Sequence, residues 1–227
     1  MMKRLLSILI TLAALLHASA LPTDTIAVHG DAPISATMTA RDAGSAQWFF
    51  AMAPDDVLPL LPANTRLDML DYYNSGLARP SRNTAGGEAV ITHSDSRSLR
   101  FQLGDSTTCE LGVFAAGRDT VVALIETIRF PMPDSKVEWY DARWNPIKAP
   151  VAEPRLADWL TRDGRSHRAE VERALPFITA EATTDPYAGR LLWRLTIDEY
   201  FVPADRPAAL GYLAPAITQK VQPGRKK

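Results

Sequence analysis

Cysteine is almost missing from this chain: there is one, Cys109, in 227 residues. That excludes a disulfide scaffold and a cysteine-rich zinc module. Charge of one sign is missing too. The 25 Lys and Arg against 26 Asp and Glu leave a formal net charge of −1, which excludes a generally basic nucleic-acid binder. Beyond the first twenty residues the histidines are His29, His93 and His167, with no His-x-x-x-His pair, so no metal site is expected. No Gly-x-Ser-x-Gly elbow is present, and Gly86-Gly87 reads as a turn rather than a phosphate cradle. There is no Asn-x-Ser/Thr sequon and no internal repeat. No motif implies a cofactor.

Long apolar runs are also scarce. The one that exists, Leu5 to Leu16, spans 12 residues and follows Lys3 and Arg4. It is short of the roughly 20 residues that cross a bilayer. Ala18-Ser19-Ala20 then places small residues where a signal peptidase reads them, so residues 1–20 are predicted to be a signal peptide cleaved after Ala20. The mature protein is expected in the periplasm or outside the cell, with no transmembrane segment. Its 207 residues would carry a formal charge of −3, because Lys3 and Arg4 leave and no acid does. Residues 21–44 are polar and unpatterned and read as a flexible leader. Residues 45–222 are expected to form a single α+β domain, and residues 223–227 a basic tail.

Within that domain Ser45 to Ala53 reads as a short helix. Asn64 or Thr65 can cap a second helix running to about Ser75, with Asp68 in its first turn and Gly76 as its stop. Five segments then alternate with turn signals: Glu88–His93, Arg97–Leu103, Thr107–Phe114, Asp119–Phe130 and Ser135–Asp141. Their spacing predicts an antiparallel meander. A short helix around Leu156, Trp159 and Leu160 should follow, then a hairpin about residues 185–189, then a terminal helix over Asp205 to Leu213. The fold class is thus α+β: an antiparallel sheet of about five to seven strands, with N-terminal helices and short C-terminal helices.

Alternation fixes an expected register. A three-residue loop Gly104-Asp105-Ser106 pairs Phe101 with Cys109 and Leu99 with Leu111. A four-residue loop Ala115 to Arg118 pairs Leu111 with Val122 and Cys109 with Leu124. A further four-residue loop, Pro131 to Asp134, pairs Ile128 with Val137 and Glu126 with Trp139. One apolar face results, carrying Leu99, Phe101, Leu103, Cys109, Leu111, Val113, Val122, Leu124, Ile128, Val137 and Trp139. Val121, Ala123 and Ile125 make the opposite face apolar as well, so something must cover both sides.

Chemistry-bearing groups are sparse in this frame. Ser106 with His93 and Asp95 makes an imaginable triad, but the serine sits in a turn. Cys109 on an apolar face reads as a small buried hydrophobe rather than a reactive thiolate. Glu126 is the lone acid between Val121 and Phe130, placed beside Trp139. Either it is a desolvated carboxylate with a raised pKa, or it lies near the sheet rim, or it pairs with a nearby arginine. Glu126 and Trp139 are the ligand-binding candidates; no residue qualifies as catalytic.

The blocks Trp48-Phe49-Phe50-Ala51-Met52-Ala53-Pro54-Asp55-Asp56-Val57-Leu58-Pro59-Leu60-Leu61 and Asn64 to Tyr73 carry a resemblance. With Gly86-Gly87, the long strand ending near Pro131, Asp134-Ser135 and Tyr140 to Trp144, they resemble an uncharacterised secreted family of Bacteroidales, domain of unknown function 3256. The resemblance implies an exported or cell-envelope protein and brings no catalytic residues. The expected function is a non-catalytic envelope protein that binds a protein partner or a small ligand. A hydrolase around Glu126 or Ser106 and a structural subunit of an envelope complex are the alternatives. A binding pocket is expected on the sheet or between it and the N-terminal helices.

Overall fold

A computed structural model describes residues 43–77, 79–116 and 119–221, with only the backbone of Ala116. The predicted signal peptide, nearly all of the leader and the basic tail lie outside the described residues. Helix α1 (Ala46–Met52) begins where Ser45 Oγ accepts the Trp48 amide, 3.1 Å away. The Ala46 amide donates to Ser96 O, which ties the helix to the sheet. Helix α2 (Ala63–Asn74) starts one or two residues before the expected caps. Pro62 holds the N-cap position with its φ already at −54°, so Asn64 and Thr65 fall inside the helix and Asp68 lies beyond its first turn. At its end Gly76 takes φ +69°, and the Gly76 and Leu77 amides reach back to Tyr73 O and Tyr72 O. That is the glycine stop expected from the sequence.

Six strands follow: β1 (Ser81–Arg82), β2 (Glu88–Ser94), β3 (Ser98–Gln102), β4 (Thr107–Ala116), β5 (Asp119–Ile128) and β6 (Asp134–Asp141). They pair antiparallel in sequence order, so the meander is present. The β3–β4 register is the expected one, with Phe101 opposite Cys109 and Leu99 opposite Leu111. The β4–β5 register differs. Pairing continues to Ala116 and Asp119, and Cys109 faces Glu126 while Leu111 faces Leu124. The slip is two residues, so every side chain keeps its face.

The β5–β6 register is off by three, and there the faces invert. Val137 pairs with Ile125, and Trp139 with Ala123. Pairing already begins at Ile128 and Asp134, so the loop is longer and odd-numbered. Val137 and Trp139 therefore leave the predicted face, and Lys136, Glu138 and Tyr140 take their place. The placement of Glu126 beside Trp139 is corrected accordingly: its cross-strand neighbour is Lys136.

The chain closes with α3 (Leu156–Trp159), α4 (Arg168–Ala174) and a three-stranded sheet of β7 (Ala180–Asp185), β8 (Arg190–Leu195) and β9 (Ala216–Lys220). The expected terminal helix is instead two 3₁₀ turns, Pro203–Asp205 and Ala208–Tyr212. Pro207 cannot donate into a continuous α-helix.

Two cores result, one on each face of the large sheet. The first joins Phe49, Phe50, Leu58, Leu61 and Met69 to Leu99, Phe101, Leu111, Val122 and Leu124. The second joins Phe114, Val121, Ala123, Ile125 and Trp139 to Leu191, Trp193 and Leu195 of the small sheet, with Trp159 and Val171. The cover that the two-sided β5 required is therefore the helices on one side and β7–β9 on the other.

Close approach of the sheets needs a glycine at 112. A Cβ there would stand 2.6 Å from Thr184 Oγ1. The outward amides of β7 are closed by side chains of the large sheet. Asp134 Oδ1 accepts from Ala180 N at 3.1 Å, Ser135 Oγ from Ala182 N at 2.9 Å, and Glu110 Oε1 from Thr184 N at 2.7 Å. Edge donors that would otherwise recruit a foreign strand are thereby satisfied.

Candidate functional site

Pro54, Pro59 and Pro62 forbid a continuous helix between α1 and α2, so the intervening segment crosses the first face of the sheet as successive turns. Arg66 of α2 holds it there. Only 2% exposed, Arg66 donates to Asp55 Oδ1 at 3.0 Å and to the carbonyls of Ala53 and Leu61. A buried guanidinium needs such acceptors, and the turn carbonyls need such a donor.

Beneath this segment lies a cavity of about 120 Å³ lined by Val57, Leu58, Leu60, Leu61, Leu103 and, at its floor, Cys109 and Leu124. Its mouth carries Glu126, Lys136 and Glu138. It lies between the sheet and the segment that joins α1 to α2. Lys136 Nζ bonds Glu138 Oε1 at 2.7 Å, and the Tyr140 hydroxyl donates to Glu138 Oε2 at 3.1 Å. The ammonium beside it holds the Glu138 carboxyl below its ordinary range, and Glu138 in turn raises Lys136. Burial, then the nearby Glu138 and Asp56 charges, push the Tyr140 hydroxyl up to about 12. Burial and the Glu126 charge push the Cys109 thiol up to about 12, so it remains a neutral thiol lining the cavity.

Of the two candidates from the sequence, Glu126 stands at this mouth, exposed to solvent. Trp139 lies on the other face, 4% exposed in the second core against Phe114. The structure does not bring them together. Lys136, Glu138 and the lid segment Val57 to Leu61 were missed as site residues. The alternation of Lys136 and Glu138 with Val137 and Trp139 was the signal available for them, once Trp139 is assigned to the opposite face.

The imagined triad comes apart. His93 Nε2 lies 3.4 Å from Asp95 Oδ2 at one end of β3, and Ser106 sits in the turn beyond the other end, roughly 15 Å away at strand spacing. Asp95 instead accepts from Arg97 N, Ser98 N and Ser98 Oγ, capping the β2–β3 turn. His167 stacks on Tyr212 with ring centroids 4.1 Å apart. His29 lies outside the described residues. Among the described residues no group of three or more His, Cys, Asp or Glu is placed to hold a metal ion. Among them, too, no helix is long and apolar enough to cross a membrane.

The family described as "Protein of unknown function (DUF3256)" matches residues 38–225. The chain belongs to the DUF3256 family. A solved structure with the same fold is a domain of an uncharacterised protein from Porphyromonas gingivalis W83. It superposes with a TM-score of 0.62 at 18% identity, over 78% of this chain and 94% of that one. At that identity the likeness speaks for the fold alone. No curated protein matches the chain. As a DUF3256 member the protein receives no chemistry from its relatives, and the cavity has to be read from its own residues.

Proposed function

We propose that this DUF3256 protein is an exported, non-catalytic binding module whose site is the cavity under the Val57–Leu61 segment. The observation that carries the reading is an aliphatic cavity of about 120 Å³ with polar groups only at its mouth. Ligand sites are concave and largely apolar, with a few placed polar groups that fix orientation. The one thiol lining the cavity is held neutral by burial and by the charge of Glu126 across the strand, so it is not an activated nucleophile. Export rests on the basic, apolar and A-x-A pattern of residues 1–20.

The test is a titration of the full mature chain with small neutral probes such as isopentanol, followed by two-dimensional NMR. Shifts confined to Val57–Leu61, Leu103, Cys109 and Leu124 are expected, and Leu60→Trp should abolish them by filling the space. Probes that perturb none of these resonances would refute the site. A second reading, a protein-binding subunit of an envelope assembly, is favoured by exposed Phe177 and Tyr200, packed edge-to-face with centroids 6.0 Å apart. In-cell crosslinking that recovers only monomer would remove it.

A further inference from the structure

The sign of charge at the cavity mouth selects among ligands that its apolar interior treats alike. This rests on the reading of the cavity as a binding site and adds the chemistry of the ligand's head. Apart from the neutral Cys109 thiol the side chains lining the interior are apolar, so the inserted part of a ligand is hydrocarbon. Its size follows from comparison: a cavity near 150 Å³ accepts benzene, so about 120 Å³ suits a group of four or five carbons.

At the mouth three charged groups come from two neighbouring strands, with Glu126 directly opposite Lys136 and Leu124 opposite Glu138. Lys136 and Glu138 are bonded to each other at 2.7 Å, and the second Glu138 oxygen is taken by Tyr140. Glu126 is different: among the described residues its carboxylate makes neither a hydrogen bond nor an ion pair. The formal sum of Glu126, Lys136 and Glu138 is −1, and Asp56 lies near enough to act on the Tyr140 hydroxyl. A carboxylate head emerging from the cavity would meet Glu126 and Glu138 with, among the described lining residues, only an already engaged lysine to offset them. A protonated amine would meet an unengaged carboxylate.

We propose that the cavity takes a short alkylammonium compound, its four- or five-carbon apolar group under the Val57–Leu61 segment and its amine against Glu126.

Three probes of one shape test this on the full mature chain: isopentylamine, isopentanol and isovalerate, titrated by NMR at low and high salt. Exposed charge pairs contribute modestly. The amine should therefore bind about fivefold to twentyfold more tightly than the carboxylate, with the alcohol between them. High salt should narrow that ratio. Glu126→Gln should bring it close to one, and Lys136→Gln should widen it, since among the described residues Lys136 is the only cation lining the mouth. Both positions are exposed, so the variants are expected to fold.

Isovalerate binding as tightly as the amine would overturn the proposal. So would an unchanged ratio in Glu126→Gln. If isopentanol binds but the ratio is flat, only the charge selection fails. If isopentanol also leaves the cavity resonances unmoved, the binding-site reading fails with it.

Discussion

Removing the Glu110 carboxylate should loosen one sheet from the other. Glu110 is a charged side chain only 8% exposed, and it faces the small sheet. Its Oε1 accepts from both the amide and the hydroxyl of Thr184, and its Oε2 accepts from Arg100 Nε at 2.8 Å. Hydrogen bonds to a charged group are worth about 1.5–3 kcal/mol each, and a buried donor left without a partner costs about 1–3 kcal/mol. The Arg100 side chain is 47% exposed, so its ion pair adds at most about 1 kcal/mol. Against these losses stands the desolvation of the carboxylate, which the alanine variant no longer bears. The balance for Glu110→Ala is a destabilisation of about 3 kcal/mol. For a domain of this size that lowers Tm by roughly 6–12 °C.

Glu110→Gln keeps an acceptor for Thr184 and should cost about half as much, and Arg100→Ala about 1 kcal/mol or less. Urea unfolding followed by tryptophan fluorescence measures all three, since Trp139 and Trp193 lie in the core that the two sheets share. Hydrogen exchange at the Thr184 amide reports the anchor directly and should accelerate most in the alanine variant. A Glu110→Ala protein no less stable than Glu110→Gln, with Thr184 still protected, would refute the assignment of Glu110 as the inter-sheet anchor.

Gly112→Ala places a methyl 2.6 Å from Thr184 Oγ1 and 2.7 Å from its Cγ2. Overpacking of this kind should cost about 1–3 kcal/mol by calorimetry, and a neutral result would mean that the sheets part without penalty there. At Asp95, burial alone would raise the carboxyl, but the Arg97 and Ser98 amides, the Ser98 hydroxyl and His93 outweigh it and hold the group at about 2. A depressed folded-state pKa stabilises above the ordinary value of 3.8 and is lost as pH falls towards about 2. Acid titration of stability should therefore show a falling component between about pH 4 and pH 2, and Asp95→Asn should lack it. Cys109 in the folded protein should resist thiol reagents at pH 8 and react promptly in denaturant. Fast labelling without denaturant would contradict its burial.

How far the sequence specified this architecture varied with how many faces of a strand were apolar. In β3, Leu99 and Phe101 alternate with Arg100 and Gln102, so only one register puts the apolar set on one side, and that register is the one observed. In β5 the run Val121 to Ile125 is buried on both faces. Alternation then carries no information, and loop length alone had to set the β5–β6 pairing. A loop of four residues gives a register three residues from the observed one, and that odd step sends Trp139 to the other core. The β4–β5 slip arose the same way but was even, and harmless to the faces. Strand β9 carries little signal in the sequence, because Ala216 to Lys220 offers one large apolar residue, Ile217. Arg66 and Glu110 were invisible for another reason. Each is a charged residue that joins backbone groups to side chains, Leu61 O and Asp55 for Arg66, the Thr184 amide and hydroxyl for Glu110, and no local pattern announces that.

A gradient of burial along β5 and β6 explains why the cavity has charged groups at its mouth. Along β5 the first face passes from Val122, fully buried, through Leu124 at 6% exposure, to exposed Glu126. Along the antiparallel β6 it passes from buried Tyr140, packed on Trp144, to half-exposed Glu138 and then to Lys136. Both strands leave the cover of the N-terminal helices at the same end, and polar residues appear where that cover stops. The segment Val57 to Leu61 overhangs this margin, held by Arg66, and the space beneath it is the cavity. Its aliphatic interior and ionic rim are thus one consequence of a lid that ends before the sheet does. Had Trp139 faced this side, its indole would have occupied the place where Lys136 and Glu138 now meet Glu126. The three-residue register difference therefore decides whether the site is an aromatic plug or an open pocket with a choice of charge.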